Sequence, residues 1–248
     1  MRKHLSVLML MTRSTIYKVL ALLVLMAVAE WLAFRAVFNS ELAAMNIGTG
    51  FAELEGVLSK SGIAWIFAVC FLLMTALLCS TGCEYGSRQG YTLRRLSVPE
   101  SGVFVWQCVY NTFCFFLLWA AETLTAYGLC MLYMAGMDPA YTSGQTVFLA
   151  FYRNYFLHSL LPLADVSRWI RNVLLTAALG AVSAYFPFMQ RKGRVAASTI
   201  IMAACGLIFF TREIASLVTD LLLMAVSAAC IWTAASNVFR RAEVNEET

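Results

Sequence analysis

An all-α integral membrane protein with six transmembrane helices is the fold class this sequence predicts, and three observations carry the prediction. The 248 residues are 61% hydrophobic and only 13% charged, too little polar surface to cover a water-soluble globule of that length. Six apolar stretches approach the roughly 20 residues that a helix needs to cross about 30 Å of hydrocarbon. Their approximate limits are 17–38, 63–83, 103–135, 169–189, 195–211 and 214–238. Twelve of the 18 Lys and Arg residues fall in four short clusters, Arg2/Lys3/Arg13/Lys18, Arg88/Arg94/Arg95, Arg191/Lys192/Arg194 and Arg240/Arg241, and each gap between clusters holds two of the stretches. Basic residues near helix ends are retained on the cytoplasmic side during insertion. The spans therefore pair into three hairpins, with both termini and two internal loops cytoplasmic and the cell (plasma) membrane as the expected location.

Residues 1–15 alternate basic and apolar groups, with Arg2, Lys3 and His4 followed by Leu5, Val7, Leu8, Leu10, Met11 and then Arg13. This is the pattern of a helix lying flat at the cytoplasmic interface, or of a frayed tail. A secretory signal peptide is rejected, because the apolar run that follows is too long and lacks a small-residue cleavage site before Glu30. The first span carries Glu30, Trp31 and Arg35 in its outer half, and a polar external loop with Glu41, Glu53, Glu55 and Lys60 leads to the second. The Gly48-Thr49-Gly50 turn in that loop is no phosphate loop, since no Gly-Lys-Ser/Thr follows it.

The most polar internal loop, Glu84 to Ser101, separates spans 2 and 3. Ser97 and Glu100 have capping-box spacing and Pro99 suits a first helical turn, so a new helix is expected to start near Val98. From Val98 to Ala135 that helix would be longer than the hydrocarbon layer is thick, and must tilt, bend or project into the cytoplasm. Between spans 3 and 4 lies one more apolar stretch, Thr146 to Leu163, interrupted by Arg153, Asn154 and His158. Burying Arg153 near the bilayer centre would cost about 2.5–3.5 kcal/mol on insertion scales. A crossing there would also turn the Arg191/Lys192/Arg194 cluster outward. The stretch is expected as an external amphipathic helix, flat on or dipping into the outer leaflet, ended by Pro162. Asp165 can cap span 4, which carries Arg168, Trp169 and Arg171 at headgroup level. A short Arg191-Lys192-Gly193-Arg194 turn joins spans 4 and 5, and Arg212 and Glu213 lie outside between spans 5 and 6. No sequence repeat, soluble domain or low-complexity segment is evident, so residues 1–248 read as one membrane domain.

Several function classes are excluded. The net charge of +4 is accounted for by the inner ends of the spans, which leaves no basic patch for nucleic acid. The eight Cys show no C-x-x-C spacing and no nearby His, and read as small apolar packing residues rather than metal ligands or disulfides. With two His and no hydrolase elbow, zinc-protease helix or aspartyl dyad, neither a metal site nor a catalytic centre is expected. The residues that stand out are acids at membrane depth, Glu30, Glu122 and Asp220, where ionised groups are costly unless they face a partner or a polar cavity. They are candidate pathway residues. The competing readings are that Glu30 snorkels near the interface and that Asp220 complements the positive end of its own helix. Arg153 and His158 could bind an anionic headgroup or substrate, or simply solvate an interfacial helix.

The loop from Glu84 to Ser101 combines an acid, a basic residue, a Gly, leucines and then Pro-x-Ser, as Glu84, Arg88, Gly90, Leu93, Leu96, Pro99 and Ser101. In this it resembles the permease subunits of ATP-binding-cassette (ABC) exporters of the type-2 class, in which a short helix between spans 2 and 3 contacts the nucleotide-binding subunit. Six spans, internal termini and an N-terminal interfacial helix are similar to that family as well. Gly102 stands where the family often has a basic residue, and the large external excursion lies between spans 3 and 4 rather than between the last two. The chain has no Gly-x-x-x-x-Gly-Lys-Ser/Thr loop and cannot itself cradle ATP phosphates. The resemblance therefore implies a separate ATPase subunit that binds ATP and Mg. That subunit would grip a cytoplasmic coupling helix through Glu84, Arg88, Gly90, Arg94, Arg95 and Pro99, and a second permease subunit, identical or related, would close the pathway. It implies export of a peptide, lipid or drug-like substrate. A non-transporting scaffold or sensor subunit is the alternative.

Overall fold

In the computed structural model, residues 2–46, 53–81, 99–138, 142–163, 165–191, 193, 197–212 and 216–246 are described, with backbone alone at 2–7, 10, 11, 14, 46 and 241–246. Every regular element among them is a helix: α1 (Arg2–Asn46), α2 (Leu54–Lys60), α3 (Ile63–Ser80), α4 (Glu100–Gly136), α5 (Thr146–Arg153), α6 (Tyr155–Leu160), α7 (Val166–Gln190), α8 (Ala197–Thr211) and α9 (Leu217–Glu246). Five of these, α1 over Thr15–Met45, α3, α4, α7 and α9 over Leu217–Arg240, are long and apolar enough to cross a membrane. The chain is thus a multi-pass helical membrane protein by length and composition. The apolar α8, at 15 residues, is about 22 Å long and shorter than the roughly 30 Å hydrocarbon layer.

Side-chain contacts fix the direction of each long helix. α1 and α4 run parallel, since Thr15 meets the Tyr110 hydroxyl at 2.6 Å and Phe38 packs against Tyr133 at 5.5 Å between ring centres. α7 runs antiparallel to α4, with Phe188 on Phe104, Asn111 Nδ2 donating to Ser183 Oγ at 2.9 Å, and Trp169 on Trp119 at 5.6 Å. α8 turns back, starting where Thr199 Oγ1 donates to the Val182 carbonyl and ending where the Phe210 carbonyl accepts from Ser159. Its Gly206 and Phe210 lie against Phe71 and Phe67 of α3, which makes α3 antiparallel to it. α9 runs with α7, because Asp220 meets Arg171 while Ala234 and Val238 pack with Ala184, Tyr185 and Phe188. The six apolar helices therefore alternate in direction along the chain.

The main core is a set of buried side chains centred on Phe67, Phe71, Phe115, Phe156 and Phe210, and a smaller cluster of Phe104, Ala184, Tyr185, Phe188, Ala234 and Val238 joins α4, α7 and α9. By contrast α1 and α9 leave apolar residues such as Val24, Leu25, Leu32, Leu221, Leu222 and Trp232 exposed, as suits helices bathed in lipid acyl chains. Close approach of α4 and α7 depends on Gly180: a Cβ there would lie 2.6 Å from the Thr112 backbone nitrogen. Small residues let membrane helices pack backbone to backbone in this way. Glycines in the left-handed region also make two chain reversals, Gly62 (φ 68°) between α2 and α3 and Gly193 (φ 64°) after α7.

Four local expectations are revised. α1 is one unbroken helix of 45 residues rather than a surface helix followed by a span. The stretch from Thr146 to Leu163 is two short helices, not one, because Asn154 turns its side chain onto the N–H groups of Phe156 and Leu157 at 3.1 and 3.3 Å and caps α6. An Asn that bonds its own downstream backbone competes with helix continuation. Pro99 occupies the N-cap position of α4 rather than its first turn, its carbonyl accepting from the N–H groups of Gly102 and Val103. Asp165 is the N-cap residue of α7 but makes no side-chain cap bond, because its carboxylate pairs with Arg168 at 3.1 Å.

One feature of the packing bears on the site. Trp119 lies against Trp169, only three residues after the start of α7, yet α4 continues to Gly136, about 25 Å farther at 1.5 Å per residue. α1 accompanies it through the Phe38–Tyr133 contact. The step left above the start of α7 is filled by α5 and α6. Phe156, Leu157 and Leu160 are buried there, and the Leu160 carbonyl accepts from Trp119 Nε1 at 2.9 Å. α6 thus packs into the bundle, whereas α5 buries only Ala150 and Phe151 and keeps Phe148, Leu149, Tyr152 and Arg153 exposed.

Candidate functional site

Glu30 and Glu122 are brought together. They sit at the junction of α1, α3 and α4, their carboxyls against each other, and neither residue has any exposed surface. Beyond that mutual contact none of their four oxygens has a hydrogen-bond partner among the described residues. The Cys70 thiol of α3 lies within electrostatic reach of both. Glu30 therefore does not snorkel, while Arg35, one turn later on α1, is exposed and stacks over Trp31 at 5.5 Å. Sequence inspection identified the two acids as unusual; their pairing follows from the parallel run of α1 and α4, which no local pattern announces.

Asp220 belongs to a different structure. Its Oδ1 accepts from Arg171 Nη1 at 2.7 Å and its Oδ2 from Ser167 Oγ at 2.9 Å. Arg171 is 3% exposed, enclosed by protein rather than open to its surroundings. Its Nε and Nη2 donate to Asn172 Oδ1, and its guanidinium lies 5.4 Å from the centre of the Phe209 ring. Asn172 Nδ2 in turn donates to the Ser159 carbonyl at 2.8 Å, and Ser159 Oγ donates to the Phe210 carbonyl. This network ties α6, α7, α8 and α9 into one unit, each charged atom finding a partner. Asp220 does lie in the first turn of α9, where a negative charge is favoured, but the ion pair is its dominant contact. The signal overlooked in the sequence is charge complementarity: Arg171 and Asp220 each lie a few residues inside the ends of their apolar stretches.

Arg153 and His158 are not brought together as an anion site. Arg153 reaches Glu55 of α2 at 3.6 Å and is largely exposed. His158 is buried, with Nε2 3.8 Å from Asp165 Oδ2 and its ring edge-on to Tyr152. The expected coupling residues Glu84, Arg88, Gly90, Arg94 and Arg95 lie outside the described residues. Of that segment Pro99, Glu100 and Ser101 are described, and Glu100 stands 3.9 Å from Arg191 at the end of α7. Among the described residues no group of three metal-ligating side chains occurs. No protein-family model, curated protein or solved structure matches this chain.

Proposed function

We propose that the chain is the membrane-spanning permease subunit of an ABC exporter, powered by a separate ATPase subunit and paired with a second permease subunit. The observation that carries this reading is the polar segment from Glu84 to Ser101, with its Glu84, Arg88, Gly90 and Pro99 pattern, placed between two long apolar helices. In this reading α8 is the sixth crossing, both termini are cytoplasmic in the cell membrane, and the 84–101 segment faces the ATPase. The rigid start of α4 at Pro99 and Glu100 suits a lever. Movement imposed on it would pass along a helix of 37 residues toward the Glu30–Glu122 junction and the opposite end of the bundle. Lacking a phosphate-binding loop of its own, the chain takes its energy from the partner, which holds ATP and Mg. The substrate class that fits an apolar pathway is a peptide, lipid or drug-like molecule.

Affinity purification of the tagged chain from its native membranes, in mild detergent, tests the reading. An ABC ATPase subunit should co-purify in near-stoichiometric amount, and ATP hydrolysis should accompany the purified assembly. A chain recovered with other membrane proteins but no nucleotide-hydrolysing subunit would instead favour a scaffold or sensor role.

A further inference from the structure

The junction of α1, α3 and α4 carries a charge problem that no other described residue solves. Glu30 and Glu122 face each other there without solvent contact, and their oxygens have no other partner among the described residues. The Cys70 thiol, a weak donor, lies within electrostatic reach of both but makes no hydrogen bond to either. The Arg171–Asp220 pair shows how this chain treats a buried carboxylate when a cation is provided, with the guanidinium at 2.7 Å and a hydroxyl on the second oxygen. Among the described residues no cation or hydroxyl bonds Glu30 or Glu122.

Two carboxylates placed together in a medium of low dielectric constant repel strongly and each forfeits its hydration. The pair needs a positive charge between its facing oxygens. A hard metal ion would require about six oxygen ligands, and the junction offers two side chains. No group of three metal-ligating side chains occurs among the described residues. A proton needs only the two facing oxygens, and it converts one of them into the donor that the other lacks. A second proton would close the pair as a neutral acid dimer in which each hydroxyl donates to the opposite carbonyl.

We propose that Glu30 and Glu122 form a proton-binding site, occupied by at least one proton in the folded protein. The site follows from the packing of α1 on α4 and stands whether or not the chain is a transporter subunit. Because the two carboxyls come from different helices, proton occupancy and the α1–α4 contact are linked: loss of the proton leaves two like charges pressed together across that contact.

Infrared spectroscopy of the full chain at neutral pH, in dodecyl maltoside micelles that contribute no carbonyl group, reads the proton directly. The C=O stretch of a protonated carboxylic acid should be present, should move to lower frequency in D2O, and should vanish in the double variant Glu30→Gln/Glu122→Gln. The paired amides preserve the shape and hydrogen-bonding capacity of the site, so the double variant should elute and melt as the wild type does. Should it not fold, Glu30→Gln and Glu122→Gln singly report on the same band, which each should weaken or abolish. A wild-type spectrum without the band, a band that survives in the double variant, or a band of undiminished strength in both single variants overturns the proposal. So does a thermal midpoint that rises with added sodium or potassium in the wild type and not in the variants, since that would place a metal cation between the carboxyls.

Discussion

Replacing Asp220 by alanine should lower the thermal unfolding midpoint of the purified protein more than any other single change at membrane depth. The substitution leaves the Arg171 guanidinium, 3% exposed, without its counter-charge and removes the acceptor for Ser167. Stripping one partner from a buried ion pair costs about 3–5 kcal/mol, which for a chain of this size corresponds to a fall of roughly 6–20 °C. Asp220→Asn, which keeps an acceptor but not the charge, should fall between wild type and Asp220→Ala. The double variant Arg171→Met/Asp220→Leu should recover most of the loss, because replacing both members of a buried pair by apolar side chains is close to neutral. Melting curves followed by size-exclusion recovery decide the matter. A single alanine variant that melts with the wild type would show that the pair contributes nothing to holding α7 and α9 together.

The second large effect concerns coupling. If a separate ATPase docks on the 84–101 segment, reversing charge at Arg88 and Arg94 together should abolish transport-linked ATP hydrolysis, while membrane insertion and the melting midpoint stay unchanged. The physical basis is that like-charge contact across a docking surface costs several kcal/mol and suppresses association. The assay compares ATP hydrolysis by the assembly reconstituted with wild-type or Arg88→Glu/Arg94→Glu chain. Unaltered hydrolysis and transport in the variant would remove these arginines from the coupling role.

Much of the architecture was legible because the bilayer imposes simple rules. The apolar stretches at 63–83, 103–135, 169–189 and 214–238 coincide to within a few residues with α3, α4, α7 and the apolar part of α9, Leu217–Arg240, since length and hydropathy alone decide which segments can cross. Details that depend on partners distant in sequence were not legible. The division of α5 from α6 turns on the side chain of Asn154 preferring its own backbone. Arg171 is expected at headgroup level from its place near the outer end of its span; its pairing with Asp220 depends on the packing of α9 on α7, which the sequence does not report. Glu30 and Glu122 could each be recognised as costly from residue type and depth. That they share one junction depends on the parallel alignment of helices 92 residues apart in sequence, which hydropathy does not report.

The central claim is that the polar segment between α3 and α4 faces the cytoplasm, on the same side as the termini, where an ATPase could reach it. Single substitutions Ser87→Cys in that segment and Ser143→Cys in the connection between α4 and α5 allow a direct measurement with a membrane-impermeant maleimide. Labelling above the wild-type background is needed; the seven native cysteines among the described residues are buried or half-buried. The account predicts that Ser143→Cys is labelled in intact cells and that Ser87→Cys is labelled only after the membrane is permeabilised. Labelling of Ser87→Cys from outside intact cells would contradict it.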